Sequence, residues 1–324
     1  MGTSIVVKPF EESFTESWEQ FVFASNNGTI FHTRRFLGYH PPDRFEDDSL
    51  VFLKENRPIA LFPAVRLKRE NKYILVSHGG ASYGSFVTKT GLSIKDAFRI
   101  VEAAEKYARL HGYQGVEMTP PPLIYLKRPS DYIAFALHKN GFTYRKREVS
   151  SVIPLDFGVD EILNTFNQGS RRAVRRAMKL NVVVKEYDGF AQFYPILQKN
   201  LKLRHKVKPT HTLEELLKIR DLFPDKIKFF GAFAGETLVA GVVMFICNPK
   251  VVLAFYISHD EDYQQYRGVN MLFYEIIKWA IKEKYGFLDF GIFTVIEDVN
   301  WGLGRFKESF GAQGVLRDTF LKMF

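Results

Sequence analysis

The chain has 324 residues, 46% hydrophobic and 25% charged, a globular composition spread over more length than one ordinary domain needs. Lysines and arginines outnumber acids 45 to 36, and the formal charge of +9 favours anionic partners: phosphates, nucleotides, nucleic acid or an acidic membrane. The single cysteine, Cys247, excludes a disulfide framework and a multi-cysteine zinc site, and its apolar surroundings make it a small core hydrophobe. The N-terminal residues lack the basic and apolar regions of a signal peptide. The longest apolar runs, Leu238 to Cys247 and Val251 to Ile257, are each too short to span a bilayer and read as a hairpin split by Asn248-Pro249-Lys250. A cytoplasmic protein with no integral membrane segment is therefore expected, peripheral to the inner face of a membrane at most.

Taken in chain order, the elements repeat. A helix is predicted over Ser13 to Ala24, followed by strands at Leu50 to Leu53, Ile59 to Leu67 and Tyr73 to Val76, the last ending in Ser77-His78. A long amphipathic helix follows, Ile94 to Leu110, with Ala97, Ile100, Val101, Ala104 and Ala108 at helical spacing. Gly112 breaks it; a strand at Gly115 to Met118, a helix at Tyr132 to Lys139 and a strand at Val149 to Leu155 complete the half. The second half opens with helices at Asp160 to Asn167 and Arg171 to Leu180. Strands at Lys228 to Phe233, Leu238 to Ile246 and Val251 to Ile257 follow, the last again ending in Ser-His, at Ser258-His259. A helix from Asn270 to Lys284, a strand at Phe287 to Phe290, a helix at Leu303 to Ser309 and a strand at Gly314 to Leu321 close the chain. Repeated order of this kind marks an internal duplication, with a boundary at 156/157.

Four candidates in the second half and one stretch in the first could carry chemistry. Gln265-Tyr266-Arg267-Gly268-Val269-Asn270 lies between a strand and a long helix, where unpaired helix N–H groups favour an anion; it is equally a glycine-containing turn with Asn270 near a cap. Asp289-Phe290-Gly291 precedes Phe306-Lys307-Glu308-Ser309-Phe310-Gly311. On the helix Ser170 to Val182, Arg172, Arg175, Arg176 and Lys179 share one face, either a phosphate-binding surface or a solvated stripe. The polar segment Leu203 to Thr212 carries Arg204, His205 and His211, candidates for contacting an acceptor or simply exposed; Thr212 with Glu215 is a capping box. In the first half, the small-residue stretch Ser77 to Phe86 offers His78, Tyr83 and Ser85 as substrate contacts, or forms a long turn.

The order helix, antiparallel meander, helix, strand, helix, strand resembles one GNAT (Gcn5-related N-acetyltransferase) unit. The Asp-Phe-Gly strand, the Phe-Lys-x-x-Phe-Gly segment and the arginine helix resemble the Fem-type aminoacyltransferases (the FemABX family) and their acetyltransferase-like relatives. The resemblance implies an α/β (α+β) fold of tandem GNAT-like domains, each a mostly antiparallel mixed sheet flanked by helices. The N-terminal domain, 1–156, would serve recognition and scaffolding; the C-terminal domain, 157–324, donor binding and catalysis. It further implies that Gln265, Arg267, Gly268 and Asn270 bind the donor, although Asn270 stands where the GNAT loop has a small residue. Lys307 would stabilise the oxyanion of the tetrahedral intermediate, and Tyr256 would sit in the acceptor site. His259 or Asp289 could accept the amine proton.

The implied activity is N-acyl transfer, with acyl-CoA as the favoured cosubstrate, to an amine of a cell-envelope glycan or peptidoglycan precursor; that acceptor is phosphate-bearing, either a small molecule or a lipid-linked glycan. Aminoacyl-tRNA is the alternative donor. No metal and no DNA partner are implied. A non-catalytic module binding RNA or an anionic glycan is a third reading, weakened by the absence of RNA-binding signatures.

Overall fold

The computed structural model describes residues 4–205 and 207–324, and the side chains of all of these except 204 and 205. Its strands are β1 (Val6–Pro9), β2 (Glu46–Asp47), β3 (Leu50–Lys54), β4 (Arg57–Phe62), β5 (Val65–Arg69), β6 (Lys72–Ser77), β7 (Val87–Thr88), β8 (Gly115–Met118), β9 (Thr143–Pro154), β10 (Val182–Glu186), β11 (Ile227–Ala234), β12 (Thr237–Ile246), β13 (Val251–His259), β14 (Phe287–Ile292), β15 (Thr294–Val295), β16 (Asp298–Val299) and β17 (Gln313–Met323). The α-helices are α1 (Thr15–Ala24), α2 (Arg34–Leu37), α3 (Ile94–Leu110), α4 (Tyr132–Lys139), α5 (Ile162–Thr165), α6 (Gln168–Lys179), α7 (Phe190–His205), α8 (Leu213–Leu222), α9 (Gly268–Lys282) and α10 (Trp301–Glu308).

The chain divides into two compact units, 1–148 with 316–324, and 149–315. The division falls ahead of the boundary expected at 156/157, and Leu316–Phe324, which include most of the last strand, count with the first unit. Each unit is a mixed sheet flanked by helices.

In the first unit β17, β8, β6, β5 and β2 lie side by side in that order. Only β6 and β8 run parallel, joined by the long crossover through α3. A smaller sheet, β1-β3-β4-β7, is antiparallel throughout. The single run expected from Ile59 to Leu67 is in fact β4 and β5, in different sheets. Pro63 divides them, because a residue without an N–H cannot serve a central ladder. Helix α3 forms where its periodicity places it. Ser93 caps it by accepting from Asp96 N–H at 3.1 Å, Gly112 ends it at φ +76°, and Ala97, Ile100, Val101, Ala104 and Ala108 are all buried. They pack into one core with Leu75, Val116, Phe52, Phe62 and Phe86.

In the second unit the order is β10-β11-β12-β13-β14-β9. Strand β12 is buried from Leu238 to Ile246, the near-continuous apolar run of a strand covered on both faces. Helix α9 crosses from β13 to the parallel strand β14. Its Met271, Leu272, Phe273, Ile276, Ile277 and Ala280 are buried against Val242, Met244, Val252 and Ala254 of the sheet and Val174 and Ala177 of α6.

Candidate functional site

Strands β13 and β14 pair in parallel over only three positions, Val251–Phe287, Val252–Leu288 and Leu253–Asp289. Beyond Leu253 the two diverge, and among the described residues this edge of β13 has no strand partner from Ala254 to His259. A bulge at Phe255 accompanies the divergence, since Tyr256 pairs with Val243 while Ala254 pairs with Met244. Helix α9 begins at Gly268, after a 3-10 stretch over Glu261–Tyr266. Arg267 stands at its N-cap in the left-handed conformation, φ +57°. No side chain caps the helix, and its first turn holds no acid. The positive end of a 15-residue helix thus carries neither a side-chain cap nor an acid in its first turn.

Gly268 and Asn270 are explained by packing. A Cβ at Gly268 would lie 3.0 Å from Val239 Cγ2 and 3.1 Å from Ala240 Cβ, so glycine lets the helix start lie on β12. Asn270 Nδ2 donates to Ser170 Oγ at 3.4 Å, and Ser170 Oγ lies 2.8 Å from Ser309 Oγ. Its amide holds the start of α9 to α6, which accounts for a polar residue where the GNAT loop has a small one. Gln265 and Arg267 are exposed.

The turn after β14 is held from below. Asp289, fully buried, accepts on Oδ1 from Ser150 Oγ at 2.6 Å and from Gly291 N–H at 2.7 Å. Gly291 has φ +72°, a conformation open to glycine at little cost. The carbonyls of Gly291 and Ile292 in turn accept from Lys307 Nζ at 2.7 and 2.8 Å. Lys307 is 2% exposed. Burial lowers its pKa to about 8, with the Asp289 carboxylate pulling it back up. At neutral pH it is therefore a cation, with two of its three donors committed. Asp289, holding Ser150 and the Gly291 N–H at Oδ1 and sealed from solvent, shapes the carbonyl pair.

Tyr256 is buried, and its hydroxyl accepts from the backbone N–H of His211 at 3.1 Å and lies 2.9 Å from His211 Nδ1. Desolvation raises the phenol to about 12, against hydrogen bonds from His211 and Thr210 that favour the phenolate. It is thus protonated at neutral pH and fastens the segment ahead of α8 onto β13. His211 is equally buried, and Tyr194 Oη donates to its carbonyl at 2.9 Å. The expectation that His211 is an exposed loop histidine is corrected by this packing. His259, at the end of β13, is half-buried with Nε2 3.7 Å from Glu261 Oε1. The side chains of Arg204 and His205 lie outside the described residues.

Residues 164–308 match the family model described as an acetyltransferase (GNAT) domain. The fold is GNAT-like. Among solved structures the chain is similar to FemX at 13% identity, covering 98% of this chain and 97% of that one with TM-score 0.74. A tandem GNAT protein from the clavulanic acid biosynthesis pathway matches at 11% identity over 99% and 98% of the two chains, TM-score 0.57. L-PGS from Bacillus licheniformis matches at 13% identity over 94% and 90%, TM-score 0.60. No curated protein matches in sequence. The similarity extends over both units, as a tandem GNAT-like fold requires.

Outside the GNAT-like helix-and-edge arrangement the candidates behave differently. In the first unit Tyr83 and Ser85 are interior. Ser85 N–H donates to Ser77 Oγ at 2.7 Å and Ser85 Oγ meets Met118 Sδ at 3.3 Å, while the Tyr83 ring lies under Arg317. His78 is also buried; its Nδ1 accepts from Gly80 N–H at 3.1 Å. These residues bind the loop to its own unit because glycine and serine let it pack inward. On α6, Arg172, Arg175, Arg176 and Lys179 are exposed, opposite buried Ser170, Val174 and Ala177. Sequence reading missed Ser150 and Ser170; only their partners in space mark them. Among the described residues there is no metal-binding cluster and no helix long and apolar enough to cross a membrane.

Proposed function

We propose that the second unit is an N-acyltransferase that takes an acyl group from acyl-CoA and passes it to an amine of a cell-envelope glycan or peptidoglycan precursor. The observation that carries this reading is the unpaired β13 edge together with the uncapped, acid-free start of α9. A thioester of coenzyme A supplies an activated carbonyl, a pyrophosphate for the helix terminus and an amide-bearing arm suited to a free strand edge. Arg267 and the first N–H groups of α9 hold the phosphates. Lys307, fixed by two carbonyls with one donor left, stabilises charge developing on the carbonyl oxygen. His259 receives the proton lost by the attacking amine, and as the amide forms the thioester C–S bond breaks and coenzyme A leaves as its thiolate. Asp289 and Ser150 act through the turn as positioning residues.

The test is thermal unfolding with acetyl-CoA, longer acyl-CoAs and uncharged tRNA in parallel. A ligand at 100 times its Kd stabilises the folded state by about 2.7 kcal/mol. A rise in Tm with acyl-CoA, reduced in Arg267→Gly, supports the reading; that variant keeps the left-handed N-cap while removing the cation. A rise with tRNA alone moves the donor to aminoacyl-tRNA, and no rise with any of them removes the donor assignment.

A further inference from the structure

The surface of α6 is not used by the site just described. Its buried side is Ser170, Val174 and Ala177. A step of 100° per residue puts Arg172, Arg175, Arg176 and Lys179 on the opposite side, within one stripe. None of the four has an ion-pair or hydrogen-bond partner among the described residues. Elsewhere in the chain Arg109, Arg145 and Arg147, which are exposed, and Arg34 and Arg220, which are partly buried, are paired with carboxylates. Like charges at i, i+3 and i+4 repel when nothing sits between them. Beside the stripe stand three aliphatic side chains open to water: Met178 at 40%, Leu180 at 40% and Val183 at 51% exposure. Lys185, also exposed, continues the positive charge along β10.

We infer that this face docks on an anionic phospholipid surface, with the four cations at the headgroup phosphates and the three aliphatic side chains in the interfacial layer. Two observations favour lipid over nucleic acid. The charge flanks exposed aliphatic groups, which an interface accommodates and a polyanion in water does not. Neither α6 nor β10 carries an aromatic residue, so the stacking platform of a single-strand binder is missing. The inference rests on this surface alone and holds whichever donor the second unit uses.

The test is flotation of the full-length protein with vesicles of phosphatidylcholine alone and of phosphatidylcholine with about one part in three of phosphatidylglycerol, at about 0.15 M salt. Each cation near such a surface is worth roughly fivefold in partitioning. Arg172→Gln/Arg175→Gln/Arg176→Gln should therefore lose on the order of 100-fold of the binding to acidic vesicles, with a Tm no lower than wild type because no partner is stranded and like-charge repulsion is relieved. Met178→Ser/Leu180→Ser should weaken binding to acidic vesicles while leaving any binding to uncharged tRNA alone. Equal binding to both vesicle types, acidic-vesicle binding untouched by the arginine variant, or binding to tRNA with none to vesicles would each overturn the proposal.

Discussion

The two units build the same passage, strand to helix to parallel strand, and finish it in opposite ways. In the first, β6 and β8 stay paired to the end of β6, from Ile74–Gly115 through Ser77–Met118. The chain beyond then folds back, with Gly84 N–H donating to Thr119 O at 2.9 Å and Ser85 N–H to Ser77 Oγ. Helix α3 is capped by Ser93, and buried Asp96 in its first turn is bound by Lys54 at 2.9 Å. Strand edge and helix terminus are both already satisfied. In the second, β13 and β14 part after three pairs and α9 begins with neither cap nor acid. The same topology is therefore closed in one unit and open in the other, and the openness lies in missing partners more than in conspicuous residues. This is the basis on which we propose donor binding for the second unit and a scaffolding role for the first.

The largest expected effect separates chemistry from packing within the open site. Lys307→Met should lower transfer by about 100- to 1,000-fold, the usual scale for losing one oxyanion donor. It also strands the carbonyls of Gly291 and Ile292, at about 1–3 kcal/mol. Activity and Tm measured on one preparation check both, and near wild-type turnover would remove Lys307 from the mechanism.

The units should also differ in their response to pH. Burial depresses His32 to about 4 and His78 to about 3, both in the closed unit. The unfolded chain binds protons that these histidines refuse when folded. The stabilising effect of keeping them neutral is complete above about pH 6.5 and drains away as pH falls towards 4, at up to roughly 1.4 kcal/mol per pH unit for each. Lys307, at about 8 in the fold, works at the other end. Its burial as a cation costs stability below pH 8, and that cost is relieved as pH rises from about 8 to 10.5. Urea unfolding across pH should show an acid loss that His78→Gln makes shallower, and an alkaline gain that Lys307→Met abolishes.

Smaller effects probe the two helix starts. Gly268→Ala should destabilise by about 1–3 kcal/mol through crowding against Val239 and Ala240. Ser93→Ala in the closed unit should cost about 1 kcal/mol through loss of its cap and leave donor binding untouched.

Much of this architecture was legible in the sequence, and its limits have a physical cause. Helix α3 runs from Ile94 to Leu110 as its periodicity predicts, because local signals, Ser93 before it and Gly112 after it, set both ends. The Asp289–Gly291 strand and the Lys307 helix were visible as motifs. What Asp289 does was not, since Ser150 lies far away in sequence. Asn270 looked like a defect in a donor loop until Ser170 supplied its partner. The parting of β13 from β14 leaves no local mark beyond the Phe255 bulge, because pairing is decided between strands rather than within one.

The most direct test of the contrast is hydrogen–deuterium exchange of the full-length protein with and without saturating acetyl-CoA. The account predicts slowed exchange at Ala254–His259 and Arg267–Met271, and none at Ser77–Asp96. Protection in the first unit's loop and α3, or none along β13, would contradict it.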